Sequence, residues 1–400
     1  MSVAVQAGGS PVKRPRRSPW RPLDALVVAL PAAVVADLLH AGPAVLFILS
    51  ALAVVPLAGL VGRSTEVLAE RVGGSQGALL NATFGNVAEL MIAALLVLHG
   101  EITVLKASIT GSIVGNLLLL LGVSMIVAAR HRSEVPVTRV AREQTTMLFL
   151  AVGILLLPTV FALRPESSRS RLDEVSGLVA VVLFAVYALS LLFMLRTNED
   201  LYRTGPTAPN ANADTNATAV TAAAPTAASA PVEGDGGSGS AEAAPGAWSV
   251  RGSLVVLAVA TVLVTVAAEI VAGSVQEAGA SLGLHSGFIG FVVLPLVGNA
   301  AEQFSALTLA AKDRLGVASE IAVGASMQLA MFVVPVLVAL GALSGHPFDL
   351  SFSALELTAL VIGTLLTSQL LADDKANWLE GVLLLGLYVV FAGAVFFADL

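Results

Sequence analysis

Residues 79–97 read LLNATFGNVAELMIAALLV, an apolar run broken near its middle by Gly85, Asn86 and a carboxylate, Glu89. About two hundred residues later, 291–311 read FVVLPLVGNAAEQFSALTLAA and repeat the device with Gly298, Asn299 and Glu302. Each is a G-N-x-x-E word inside a stretch long and apolar enough to cross a bilayer. An ionisable side chain at that depth costs about 3 kcal/mol or more, so each word marks a candidate functional site. Two such words, in corresponding places of two halves, point to a transporter core built from an internal repeat.

The composition around the words agrees. The 400 residues are 56% hydrophobic and 12% charged, with a mean hydropathy of +0.87. A soluble domain of this size has no use for so much apolar surface, which leaves an all-α integral membrane protein. Cysteine is absent, excluding disulfides, thiolate metal sites and Cys nucleophiles. No nucleophile–base pair or phosphate loop stands out, so enzymatic chemistry has no support. The basic stretch Met1–Pro22 precedes the first apolar run without a small-residue cleavage pattern, which reads as an uncleaved first span.

An apolar window moved along the chain predicts eleven spans, near 23–39, 44–69, 77–98, 103–128, 143–163, 174–196, 250–278, 286–312, 317–342, 351–372 and 377–398. The first is short and interrupted by Pro31 and Asp37. Residues 197–249 separate the halves; from Thr204 to Ser249 they are mostly Ala, Thr, Pro, Gly, Ser and Asn, with no Lys or Arg. Such a segment has too few large apolar groups to offset its ordering entropy and is expected to be a flexible linker.

Placing the N-terminus inside puts 17 of the 21 Lys and Arg residues on inside segments and leaves only Lys106, Arg164, Arg169 and Arg171 outside. The positive-inside rule therefore sets the N-terminus in the cytoplasm and the C-terminus outside. Setting the first span aside leaves five on each side of the linker, and an odd number per half forces opposite orientations. Residues 44–196 and 250–398 thus read as two inverted-topology five-helix repeats, with one extra N-terminal helix. Echoes elsewhere agree: GSIVGNLLLLLG follows the first word as VGASMQLAMFVVP follows the second, and Tyr187 and Tyr388 sit centrally in the sixth and eleventh spans.

In a helix Asn86 and Glu89 share a face, as do Asn299 and Glu302. Gly85 and Gly298 carry no Cβ, so a neighbouring backbone approaches closely or the helix opens and exposes carbonyls. Two antiparallel helices crossing at the midplane would set the carboxylates on opposite sides of one cavity. The ligand set is then all oxygen, which suits a hard dication such as Ca²⁺ and fits a soft metal poorly. Two ionised carboxylates in an empty cavity are unfavourable through desolvation and mutual repulsion, so protons replace the metal as it leaves. Glu89 and Glu302 are thereby candidate metal ligands and proton carriers in turn. A single word also fits a packing glycine beside a buried Glu; two in register, in opposed halves, disfavour that.

Ser112, Asn116, Ser326 and Gln328 follow the words and are candidate cavity-lining groups, equally readable as packing contacts. Glu269 lies deep in its apolar run and needs a partner, by ion contact or by a gating or structural hydrogen bond; Glu356 stands similarly. Glu66, Glu70, Glu277 and Glu143 fall near span ends, and His40, His99, His131, His285 and His346 in loops or edges.

The words NATFGNVAEL and VGNAAEQFSAL resemble the two signature repeats of the Ca²⁺/H⁺ (cation/proton) exchanger family, within the wider cation/Ca²⁺ exchanger superfamily. FILSALAVVPLAGLVGRSTEVLAERVGG, VGASMQLAMFVVPVLV and NWLEGVLLLGLY are similar to its members too. The resemblance implies ten core spans plus one, antiport of Ca²⁺ for H⁺ across a lipid bilayer, and essential motif glutamates at Glu89 and Glu302, with Asn86 and Asn299 beside them. Gln303 stands where members often carry His, and Gly115 where Ser is common. The rival readings are a Na⁺-coupled exchanger of the same fold, for which only Thr83, Ser112, Ser305 and Ser326 offer extra hydroxyls, and a passive cation channel or membrane scaffold. Arg over Lys, high Ala and no organelle targeting favour a prokaryotic cell membrane.

Overall fold

Residues 22–73, 77, 80, 83–164, 169–197 and 248–398 are described by a computed structural model. The basic segment Met1–Pro22, its last residue excepted, and the linker expected over 197–249, its ends excepted, lie outside the described residues.

A 3-10 stretch, Pro22–Val28, leads into α1 (Ala29–Leu38). Then follow α2 (Pro43–Val72), α3 (Val87–Leu98), α4 (Ile102–Ala129), α5 (Arg139–Ala162) and α6 (Arg169–Thr197). The second half holds α7 (Val250–Leu282), α8 (Ser286–Gly298), α9 (Ala300–Ala310), α10 (Leu315–Ser344), α11 (Ala354–Leu370) and α12 (Trp378–Phe397). Among the described residues seven of these helices, α2, α4, α5, α6, α7, α10 and α12, are long and apolar enough to cross a membrane. The pair α8 and α9 is long and apolar enough only when taken together, with a 62° bend between its members. The remaining expected spans take other forms. Within 77–98 the 12-residue α3 follows the turn at Gly85 and Asn86, residues 77, 80, 83 and 84 before that turn being helical too; 351–372 gives the 17-residue α11, and 23–39 a 3-10 turn plus ten helical residues. A hydropathy window counts apolar length and does not register where a helix breaks.

Burial ranks the helices. The apolar windows of α4 and α10 are 78% and 83% buried, against 28% for α6 and for α12, so α4 and α10 form the centre and the others wrap it. Both central helices widen into π-helical turns, at Gly115–Leu120 and Leu329–Val333, and α8 does so at Ile289–Val293. Such turns re-aim side chains and gather at functional sites.

The halves pack crosswise, α12 along α4 and α6 along α10. The Tyr388 ring lies 4.0 Å from where a Cβ on Gly115 would sit, and the Tyr187 ring stacks on Phe332 at 5.5 Å between centroids. Each tyrosine thus meets the π turn of the opposite half. The crossing of α4 and α8 is closer still, because Gly111 faces the Phe291 carbonyl and a Cβ on Gly290 would meet the Val104 carbonyl at 2.6 Å. This contact sets the approach to the second word beside Ser112.

Loops tie each end. Val135–Pro136 (β1) and Lys375–Ala376 (β2) pair antiparallel, flanked by Lys375–Glu134 at 2.7 Å and Arg142–Asp374 at 2.8 Å. Exposed pairs of this kind are worth about 1 kcal/mol or less. Elsewhere, Lys106 Nζ donates to Asp349 Oδ1 at 2.8 Å and to the Ser351 carbonyl at 2.7 Å. Burial pushes the Asp349 carboxyl up, but hydrogen bonds from Lys106 and Ser351 and the ammonium charge outweigh it and hold the group below the usual carboxylate value.

Candidate ion-binding site

Both words break their helices. Gly85 and Asn86 form a turn, and Glu89 is the third residue of α3. In the second word α8 ends at Gly298, Asn299 is the joint, and Glu302 is the third residue of α9. Of the two readings of the glycines, close approach or an opened helix, the second applies at both words as well as the first at Gly298: Asn occupies the N-cap and Glu the first turn. In an ordinary capping box these two groups would bond to the helix's own free N–H groups. Neither Asn86 nor Asn299 makes a side-chain cap bond, so both pairs are free for tertiary use. The joint of the second word offers two kinds of pole: the end of α8 presents carbonyls suited to a cation, and the start of α9 presents N–H groups that favour a carboxylate.

The two words meet. A Cβ on Gly298 would stand 3.5 Å from Glu89 Cγ, so the glycine of one word backs directly onto the glutamate of the other. Glu89, Glu302, Gly85, Gly298, Asn299 and Gln328 all line one cavity of about 120 Å³. That is room for about four waters, or for one partly hydrated cation. Asn86 Nδ2 donates to Gln328 Oε1 at 2.6 Å, and Asn299 Nδ2 donates to Ser112 Oγ at 3.2 Å. With the amide donors so engaged, the amide oxygens are the free ends.

Five oxygens result: both of Glu89, Oε2 of Glu302, and Oδ1 of Asn86 and of Asn299 are buried without a hydrogen-bond partner among the described residues. A neutral acceptor left so costs about 1–3 kcal/mol, and a charged one more. Acceptors with no donor among them call for a cation or for protons, and this donor set fits a hard dication.

Other expected residues divide. Ser112 and Gln328 are in place, Ser112 lining a small side cavity with Glu89 and Gly298. Ser326 and Asn116 sit behind the wall. The Ser326 hydroxyl lies 3.0 Å from the Ala322 carbonyl and 3.4 Å from that of Ile113, and Asn116 is buried in the π turn of α4. Glu269 is a correction: its side chain is 55% exposed, with Oε1 3.1 Å from His99 Nε2, away from the cavity. The cause is the helix face: the buried stripe of α7 runs through Val264, Ala267, Ala268, Val271 and Val275, and Glu269 lies off it. Glu356 completes a capping box with Ser353 at the start of α11. Glu66 was expected at an interface and instead lines the cavity, as do Asp24 and Arg63, which were not anticipated. Arg63 had a signal, being a charge inside an expected span; Asp24 had none beyond interrupting a turn near the chain's start.

Residues 42–196 and 252–397 match the family model described as sodium/calcium exchanger protein. Over 380 residues, 93% of the chain, it is 40% identical to a Ca²⁺/H⁺ antiporter of Synechocystis sp., of which 96% is covered. A Ca²⁺/H⁺ antiporter of Aphanothece halophytica is 37% identical over 374 residues, 93% of this chain and 95% of that protein. Among solved structures, native YfkE superposes with a TM-score of 0.74 at 29% identity, covering 94% of this chain and 99% of that one.

Proposed function

This chain belongs to the sodium/calcium exchanger protein family, and from that premise we propose that it exchanges Ca²⁺ for H⁺ across a membrane, with Glu89 and Glu302 holding metal or protons in turn. The relatives that cover nearly its whole length are named Ca²⁺/H⁺ antiporters. The observation that carries the site is the group of four partnerless buried oxygens, on Glu89, Glu302 and Asn299, that line one cavity.

The chemistry follows from the donor set. With a dication bound, the two carboxylates are neutralised and the amide oxygens of Asn86 and Asn299 find a partner. When the dication leaves, two bare carboxylates in a dry cavity repel each other and lack solvent, so they take protons. One site that must hold one cargo or the other couples the two fluxes without a separate proton path. Alternating access then requires only that the cavity open to each side in turn.

The finer architecture belongs to the same proposal: eleven spans, as one extra N-terminal helix and two inverted five-helix repeats, with the N-terminus cytoplasmic and the C-terminus outside. The reciprocal tyrosine contacts on the two π turns support the repeat. Cross-loop pairs support the orientation, since each joins segments that charge counting sets on one side. Arg132–Asp313 and Lys375–Glu134 link inside segments, and Lys106–Asp349 links outside ones. With that orientation, Asp24, Arg63 and Glu66 in the lining support a cavity mouth on the cytoplasmic side.

Uptake of ⁴⁵Ca²⁺ into proteoliposomes under an imposed pH gradient, with and without Na⁺, tests the function. Uphill uptake driven by the gradient without Na⁺ is the expected result. Uptake that demands Na⁺, or mere dissipation of a Ca²⁺ gradient, would overturn it.

A further inference from the structure

The cavity that holds the two glutamates carries a fixed cation near its mouth. Arg63, on α2, and Asp24, on the 3-10 turn before α1, both line it. Arginines near helix ends normally extend toward water, but here the guanidinium folds back along α2. A Cβ on Gly59, one turn earlier, would sit 3.4 Å from Arg63 Nη1 and 3.9 Å from the Ala301 Cβ, next to Glu302 in the chain. The side chain is 18% exposed, and its Nε is buried with no partner among the described residues. A guanidinium there stands on the way to a cation site and would repel a dication. Arg63 Nη2 also donates to Asp24 Oδ1 at 2.7 Å, and the Asp24 side chain is 5% exposed.

We infer that Asp24 neutralises Arg63 and holds it against the cavity wall, so that this pair sets the access of Ca²⁺ to Glu89 and Glu302. The extra N-terminal helix thereby gains a role in transport: it delivers the counter-charge that keeps the mouth passable. Glu66, on the same helix as Arg63 and also lining the cavity, leaves the mouth with a net negative charge while the pair is intact. Removing only the Asp24 charge leaves Arg63 offset by Glu66 alone and takes the partly desolvated mouth from net negative to neutral. Coulomb energy scales with charge, so the penalty on Ca²⁺ is twice that on H⁺, and the fold-change for Ca²⁺ is the square of the fold-change for protons.

The test is the Ca²⁺ and pH dependence of initial ⁴⁵Ca²⁺ uptake by the full chain in inside-out vesicles, whose outer surface is the face with the cavity mouth. Asp24→Asn is expected to raise half-saturating Ca²⁺ about tenfold and weaken apparent proton affinity about threefold, with the maximal rate within about twofold. Asp24→Glu should behave as the parent, and Asp24→Asn with Arg63→Gln should return half-saturating Ca²⁺ to within about twofold of it. An Asp24→Asn protein that keeps the parental value, or a double variant that keeps the single variant's defect, overturns the inference. Should Asp24→Asn not reach the membrane, Arg63→Gln alone decides: half-saturating Ca²⁺ unchanged or lower supports the inference, and a rise overturns it. The inference rests on the cavity being the ion path. Transport surviving in Glu89→Gln would defeat that reading, whereas a dead Glu89→Gln beside a parental Asp24→Asn defeats the present inference alone.

Discussion

Glu89 and Glu302 stood out in the sequence because a carboxylate inside an apolar run must have a partner, and neither run supplies one locally. Both oxygens of Glu89 and Oε2 of Glu302, with Oδ1 of Asn86 and of Asn299, have no hydrogen-bond partner among the described residues. Glu89→Gln or Glu302→Gln replaces an acceptor-only group by one with two donors and removes the charge. Gradient-driven ⁴⁵Ca²⁺ uptake should fall at least about 100-fold in either variant while the protein still assembles. Asn299→Ala deletes a neutral oxygen and leaves the charges, so half-saturating Ca²⁺ should rise about tenfold, the equivalent of about 1.4 kcal/mol. Equilibrium ⁴⁵Ca²⁺ binding separates that loss of affinity from a slower transport step. Asp24 was not legible in the same way. Its meaning comes from Arg63, 39 positions away, and no local pattern joins the two.

At the level of elements, the glycine of each word was read as a point where a helix opens, and the breaks at Asn86 and Asn299 occur there. The π turns in α4, α8 and α10 had no sequence signature, because an i→i+5 turn is a compromise between neighbouring helices and not a preference of its own residues. The α4–α8 crossing gives a sharp prediction. Gly290→Ala would drive a methyl into the Val104 carbonyl, so it should cost about 1–3 kcal/mol, measured by thermal unfolding in detergent. Gly153→Ala on α5, with open space around it, should be neutral or slightly stabilising. The Lys106–Asp349 tie between α4 and the loop before α11 depends on pH. Asp349 titrates lower in the folded protein than when unfolded, so its contribution is present in full above the unfolded value and is lost as pH falls through the folded one. Thermal stability should therefore drop as pH goes from about 5 to about 3, and Asp349→Asn should flatten that drop.

Across the whole molecule, two buried helices, α4 and α10, hold the site, and each is clasped by the last helix of the other half. Because Cys is absent, single cysteines report sidedness cleanly. Ser133→Cys, exposed in the loop after α4, should resist a membrane-impermeant maleimide added to intact cells, while His346→Cys, exposed before α11, should react. The reverse pattern would invert the proposed orientation.

The amino-acid sequence alone determined the membrane class, the two words and their glutamates as candidates for an all-oxygen site, since hydropathy, charge placement and repeated spacing are properties of the chain read in order. Only the tertiary structure decided the rest. It broke the helices at the words, left the amide oxygens of Asn86 and Asn299 buried without a partner among the described residues, set Glu269 on the outer face of its helix, and brought Asp24 to Arg63 in the cavity wall. Those outcomes depend on distances between residues remote in sequence. Such distances follow from how helices cross and bend, which composition and periodicity do not encode.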